Sequence, residues 1–314
     1  MSTGVPATTT VPSVPARVGT GYGSDGRAPW MDVDWQAHMR WLHVEDRWLH
    51  YVDIGEGPVV LFVHGLSGCW KNWLENIPHF ALDHRVIAVD LPGFGESEMP
   101  AEKISVSAYA AIIDSLMSAL DIDSARIVGN SMGGFIGAEL AIAYPERVER
   151  LVLVAAAGLS IESIRTSRQN GLRHQLENVA LFKIGLLASR SALMARRRRL
   201  RSALLLLVVA HPGRLAPELA YEQVHSSGKP GFPSALRALC SYPIRERLGE
   251  IACPTLIVWG DKDRLVPVRD ATAFEQLITD SRKVVYADTG HLSMLERPAR
   301  FNADVRRFFQ GLDA

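Results

Sequence analysis

The pentapeptide Gly129-Asn130-Ser131-Met132-Gly133 constrains this chain more than any other stretch, because of what flanks it. Residues 125–129 (Ala-Arg-Ile-Val-Gly) read as a short strand and residues 132–143 as a helix, so Ser131 is expected on the turn between them. A G-x-S-x-G string alone occurs by chance in many proteins; the strand before it and the helix after it give this one meaning. A sharp strand-to-helix reversal strains the serine backbone and crowds its neighbours, so the flanking positions must be small. Ser131 also fits an ordinary helix N-cap, a position serine favours. Its hydroxyl is the candidate nucleophile.

Serine is a poor nucleophile unaided, so this reading requires a base, an acid to orient the base, and donors for an oxyanion. Residues 255–259 form an apolar strand that ends in Gly260-Asp261-Lys262-Asp263, which places carboxylates on the loop beyond it. Asp263 is the expected acid and Asp261 its nearest rival. Residues 283–287 read as another strand, followed by Asp288-Thr289-Gly290-His291, and His291 is the candidate base. His64 is the rival imidazole.

Five motifs occur in order: Val63-His64-Gly65-Leu66, Asp90-Leu91-Pro92-Gly93-Phe94-Gly95-Glu96-Ser97, residues 129–134, residues 260–263 and Gly290-His291. Together they resemble the α/β-hydrolase fold superfamily, in its capped esterase, lipase and C–C hydrolase branch, over about residues 45 to 312. The order Ser131, Asp263, His291 is the order of that family. The resemblance implies that the backbone N–H groups of Leu66 and Met132 form the oxyanion hole. It also makes the second acid, Asp263, catalytic and assigns His64 to the structure of the oxyanion loop. Met132 opens a helix, whose N-terminal dipole and unpaired N–H groups favour an anion. Asp90, Glu96 and Ser97 are expected to fix a loop beside the site.

The rest of the chain alternates strand and helix as a parallel sheet requires, with strands over 47–52, 59–64, 85–90 and 151–156 and a helix over 104–120. The expected fold is α/β, a mostly parallel sheet flanked by helices, with a core formed by residues 31–157 and 250–314. Residues 158–249 break the rhythm where the family inserts a lid, and read as a helical cap. Within the cap, Arg196 to Arg199 and Arg201 precede the apolar octet 203–210, which is far shorter than the roughly 20 residues that span a bilayer. A buried cap helix with a solvated basic flank is the expected arrangement; an acyl-pocket wall in weak contact with a membrane surface is the alternative. Residues 1–30, rich in Thr, Pro, Gly and Ser, read as a disordered tail without a signal-peptide core. Trp30, Trp35, Trp41 and Trp48 are expected to pack against the sheet or cap edge.

Formal net charge is zero, with 34 basic and 34 acidic residues, which offers nucleic acid no handle. Cys69, Cys240 and Cys253 lack metal-ligand spacing and read as free buried thiols of a cytoplasmic protein, a reactive Cys69 being the alternative. No cofactor or metal is expected. Serine at 131 argues against alkyl displacement, as in the dehalogenases and epoxide hydrolases of this fold, because an aspartate leaves a cleavable ester there and a serine would leave an ether. Acyl transfer remains. Gly-Asn-Ser-Met-Gly-Gly resembles the elbow of meta-cleavage-product C–C hydrolases, but those carry Trp after the histidine, where Leu292 stands here, and a glycine-rich stretch in place of Leu66-Ser67-Gly68. The expected substrate is therefore a carboxylic ester with a hydrophobic acyl or alkyl group, C–C cleavage is the alternative, and a non-catalytic binding protein is the third reading.

Overall fold

The computed structural model describes residues 21–24, 26–100, 102–157, 159–160, 197–227 and 229–312. Eight strands form one sheet: β1 (Met39–Val44), β2 (Arg47–Ile54), β3 (Val59–Val63), β4 (Arg85–Val89), β5 (Ala125–Asn130), β6 (Val148–Val154), β7 (Thr255–Gly260) and β8 (Ser281–Tyr286). Their spatial order is β1-β2-β4-β3-β5-β6-β7-β8. β2 runs antiparallel to both β1 and β4, and every other pairing is parallel.

The parallel strands are apolar without interruption because both faces of the sheet are covered. Leu61, Val63, Ile127, Leu151 and Ile257 join one core, with α2 (Val106–Ala119), α3 (Met132–Ala143), α6 (Phe232–Ser241) and α7 (Arg269–Leu277). Their neighbours Val60, Phe62, Val128, Val152 and Val258 join the other. There they meet α1 (Ile77–Phe80), α4 (Arg198–Leu205), α5 (Pro217–His225), α8 (Ser293–Glu296) and α9 (Pro298–Phe309). Among the described residues of the insertion after β6 there are helices and no strand, and no described helix is long and apolar enough to cross a membrane. The segment 161–196, including Arg196, lies outside the described residues.

Three expectations need correction. The sheet starts with a hairpin, β1–β2, rather than with residues 47–52 alone; Trp41 and Trp48 lie on it about half exposed, while Trp30 is buried. The expected tail takes in residues that dock on the core: Tyr22 Oη donates to Glu296, Ala28 and Trp30 are buried, and Trp30 Nε1 donates to Glu75 Oε1 at 3.1 Å. Residues 1–20 lie outside the described residues. Finally, the octet 203–210 is not one helix. α4 starts in the arginine run and ends at Leu205, after which the chain turns so that Val209 and Ala210 are buried and Leu206 is exposed.

Candidate active site

Ser131 joins β5 to α3 with φ 54° and ψ −114°, a conformation that costs a non-glycine residue about 1–3 kcal/mol. Its backbone is held from three sides. The N–H donates to Val154 O at 2.9 Å, and the carbonyl accepts from Ala157 N at 3.1 Å and Phe135 N at 3.2 Å. Although Ser131 occupies the N-cap position of α3, its side chain makes no capping hydrogen bond, so the hydroxyl is not consumed by the helix. The following turn passes so close to β3 that a Cβ on Gly133 would overlap the carbonyl oxygens of Val63 and His64.

The acid and imidazole stand on the loops after β7 and β8. His291 Nδ1 lies 2.7 Å from Asp263 Oδ2, with both side chains buried. The other oxygen of Asp263 accepts from the N–H groups of Leu265 and Val266, both at 2.8 Å, and Trp259 Nε1 pins that turn through Val266 O at 3.0 Å. Asp261 makes no hydrogen bond to the imidazole, accepting instead from Thr289 N at 3.2 Å and tying the acid loop to the histidine loop. Ser131 and His291 share no hydrogen bond in this conformation; Asn130 connects their neighbourhoods, its Nδ2 donating to Val154 O at 3.1 Å and His291 O at 3.4 Å. Hydroxyl-to-base contacts of this kind commonly tighten only when substrate binds.

The His64-Gly65-Leu66 loop lies against the serine. A Cβ on Gly65 would come within 2.9 Å of Asn130 Oδ1 and 3.2 Å of Ser131 Cβ, so only glycine lets the loop approach this closely. His64 Nε2 accepts from Leu91 N at 3.0 Å, and Nδ1 bonds Gly65 O at 2.7 Å. Complete burial lowers the pKa of this imidazole, and with both nitrogens engaged it has no free lone pair for proton transfer. Asp90 is buried beneath the neighbouring loop, accepting from Trp70 N at 2.7 Å and Glu96 N at 3.0 Å, while Ser97 Oγ donates to Asp90 O at 2.7 Å.

Several contacts had no signal in the motifs. His50 Nδ1 lies 2.8 Å from Asp90 Oδ2, a second buried Asp–His pair that belongs to the loop scaffold. Val208 O accepts from both His291 N and Leu292 N, at 3.0 and 3.1 Å, so the returning insertion sits directly against the histidine loop. Cys69 is buried and its thiol is pushed up to about 12, chiefly by burial and then by Asp90, which removes the reactive-thiol alternative. Cys253 is also buried and free, and Cys240 is half-buried and free. An open groove of about 520 Å³ beside Trp30, Arg201 and Tyr221 touches none of Ser131, Asp263 and His291.

The alpha/beta hydrolase fold family model matches residues 58–298, from β3 to the first residue of α9. This chain is an alpha/beta hydrolase. The 2-hydroxy-6-oxo-6-phenylhexa-2,4-dienoate hydrolase of Comamonas testosteroni is 32% identical over 273 residues, 82% of this chain and 90% of that one. A meta-cleavage product hydrolase from Pseudomonas fluorescens IP01 superposes with a TM-score of 0.68 at 27% identity, covering 88% of this chain and 99% of that one. A bacterial membrane phospholipase A superposes equally well, TM-score 0.68 at 28% identity, covering 87% and 86%. The similar alpha/beta hydrolases thus include a dienoate hydrolase, a meta-cleavage product hydrolase and a phospholipase A.

Proposed function

We propose that this alpha/beta hydrolase is a serine hydrolase that cleaves carboxylic esters with a hydrophobic acyl or alkyl group. The observation that carries the reading is Ser131, held at φ 54° with its hydroxyl uncommitted, beside a buried His291–Asp263 pair at 2.7 Å. Ser131 Oγ attacks the ester carbonyl carbon while His291 Nε2 takes its proton, and Asp263 holds the Nδ1–H tautomer and stabilises the imidazolium. Charge developing on the carbonyl oxygen is met by the N–H groups of Met132 and Leu66. The alcohol departs with the proton from His291, and water, deprotonated by the same imidazole, releases the acid from Ser131.

C–C bond hydrolysis is the second reading, favoured by the similarity to the dienoate hydrolase. The Gly-Asn-Ser-Met-Gly-Gly elbow does not itself select that chemistry. Asn130 braces backbone carbonyls, and a Cβ on Gly134 would press within 2.9 Å of the Ala156 methyl, so both residues have packing roles that either reaction needs. Leu292 and Leu66-Ser67-Gly68 favour the ester, and the phospholipase likeness agrees.

The insertion acts as the cap in this proposal, with Arg199, Leu200, Ala203 and Leu206 forming an exposed stripe at helical spacing that makes weak contact with a membrane surface. A fluorophosphonate probe that labels the wild-type protein and spares Ser131→Ala supports the enzyme over a binding module. Turnover of p-nitrophenyl esters of graded chain length beside a meta-cleavage dienoate decides between ester and C–C bond; hydrolysis of the dienoate alone refutes the ester reading.

A further inference from the structure

We propose that the N-terminal segment at residues 21–24 belongs to the catalytic apparatus, with Tyr22 and Glu296 as positioning residues for the histidine loop; this rests on His291 being the base. Glu296 ends α8 and is completely buried, a placement expensive for a carboxyl group unless its oxygens are well bonded. Burial raises its pKa, and each hydrogen bond it accepts opposes that rise.

Its side-chain donors come from three separate parts of the chain. Gly290 N, the amide preceding His291, donates to both oxygens at 2.9 and 3.0 Å. Ala210 N, from the returning insertion, donates to Oε2 at 2.9 Å, and Tyr22 Oη donates to the same oxygen at 2.6 Å. The Tyr22 oxygen in turn accepts from His211 N at 3.0 Å, and Gly23 N bonds the backbone carbonyl of Glu296 at 2.8 Å. The ring is flanked by the guanidinium groups of Arg214 and Arg297, 4.6 and 4.9 Å from its centre. Arg297 also donates to Ala287 O and Asp288 O, which start the histidine loop.

One hydroxyl therefore fastens the N-terminal segment, the returning insertion and the residue before the base around one carboxylate. Removing it leaves the acceptor of His211 N missing and takes from Glu296 its side-chain donor, so the Gly290 amide is less firmly placed. Errors of about 1 Å in the placement of reacting groups cost on the order of 10²-fold in rate, so partial loosening of this anchor registers in turnover.

The test uses the full-length protein and Tyr22→Phe, which keeps the ring between its arginines and deletes only the hydroxyl, with Glu296→Gln as a stronger perturbation. Fluorophosphonate labelling rate, kcat and KM for p-nitrophenyl butyrate, and melting temperature are measured on each. The expected result for Tyr22→Phe is a fall of about fivefold or more in both labelling rate and kcat with KM within about twofold, the pattern of a lost transition-state interaction. Labelling and kcat equal to wild type, whatever happens to the melting temperature, overturn the proposal, as does a raised KM with kcat unchanged. A wild-type protein that does not label at all overturns the Ser131 reading beneath it, a result distinct from equal labelling of wild type and variant. Should Glu296→Gln fail to fold, Tyr22→Phe decides alone.

Discussion

Exchanging one oxygen for an amide at Asp263 tests the site at its most specific point. In Asp263→Asn the side chain has two orientations. With its oxygen toward Leu265 N and Val266 N it keeps both 2.8 Å bonds and turns an NH2 toward His291 Nδ1. Flipped, it restores an acceptor to the imidazole but sets a donor against the N–H groups of exposed Leu265 and buried Val266. Leaving the Val266 N–H unsatisfied costs about 1–3 kcal/mol, so the first orientation wins. The imidazole must then carry its proton on Nε2, the atom that has to accept from Ser131. The same exchange in serine proteases lowers kcat about 10⁴-fold, equivalent to about 5.5 kcal/mol at 1.36 kcal/mol per decade. Asp261→Asn keeps an oxygen for its 3.2 Å bond from Thr289 N on a partly exposed side chain, and its loss should stay within about threefold. Measuring kcat/KM for p-nitrophenyl butyrate on both variants, with circular dichroism to verify folding, should separate them by about three decades. Comparable losses, or a larger loss at Asp261, would refute the assignment.

Ser131→Ala should abolish ester turnover and fluorophosphonate labelling while the protein stays folded, because the side chain contributes no capping bond to α3. Gly133→Ala should lower the melting temperature through about 3 kcal/mol of overpacking, its new Cβ meeting rigid carbonyl oxygens rather than a movable side chain; an unchanged melting curve would contradict the close approach. His79 is held neutral at a pKa of about 4, first by burial and then by Arg306, whose Nε donates to its Nε2 at 3.1 Å. The unfolded chain binds this proton below about pH 6.5 and the folded chain only below about 4, so stability present above 6.5 declines as pH falls through that window, by about 3 kcal/mol in total. Denaturant titrations of wild type and His79→Gln between pH 7 and 4 should show a flatter decline in the variant. Leu200→Glu should weaken sedimentation with phosphatidylglycerol vesicles and leave butyrate ester turnover intact; equal sedimentation would remove the membrane contact.

The elbow and the two loops were legible because their signals are local: a strand, a small-residue turn and a helix lie within 19 consecutive residues, and each partner follows its own apolar strand. The hairpin was hidden because its two-residue loop, Glu45-Asp46, carries none of the Asn-Gly or Gly signals of such turns, even though Glu45 has φ 56°. Two tryptophans on its exposed side further obscured the alternation. The octet 203–210 was ambiguous by composition, since a short continuous apolar run has no periodicity to report, and arginine's good helix propensity let α4 begin upstream of it. Tyr22 and Glu296 are 274 residues apart, and no local pattern announces such a meeting. Within the site, Trp259 bracing Val266 and Val208 bracing His291 likewise depend on chain returns that only the folded molecule brings together.

The insertion leaves from β6 and comes back into β7, neighbouring strands in register from Leu151 opposite Thr255 to Val154 opposite Val258. Closing a loop between fixed ends costs entropy that grows only with the logarithm of its length, so such an interval behaves as an exchangeable cassette. Its last stretch is an exception. Val208 O, Ala210 N and His211 N all bond to groups that support the histidine loop, so residues 208–211 are core by contact although they are insertion by position. A graft that ends before 208 leaves these contacts to the histidine loop in place. One that extends through 211 replaces the buttress together with the rest of the insertion, and a chimera built that way is expected to lose rate for reasons unrelated to its new substrate.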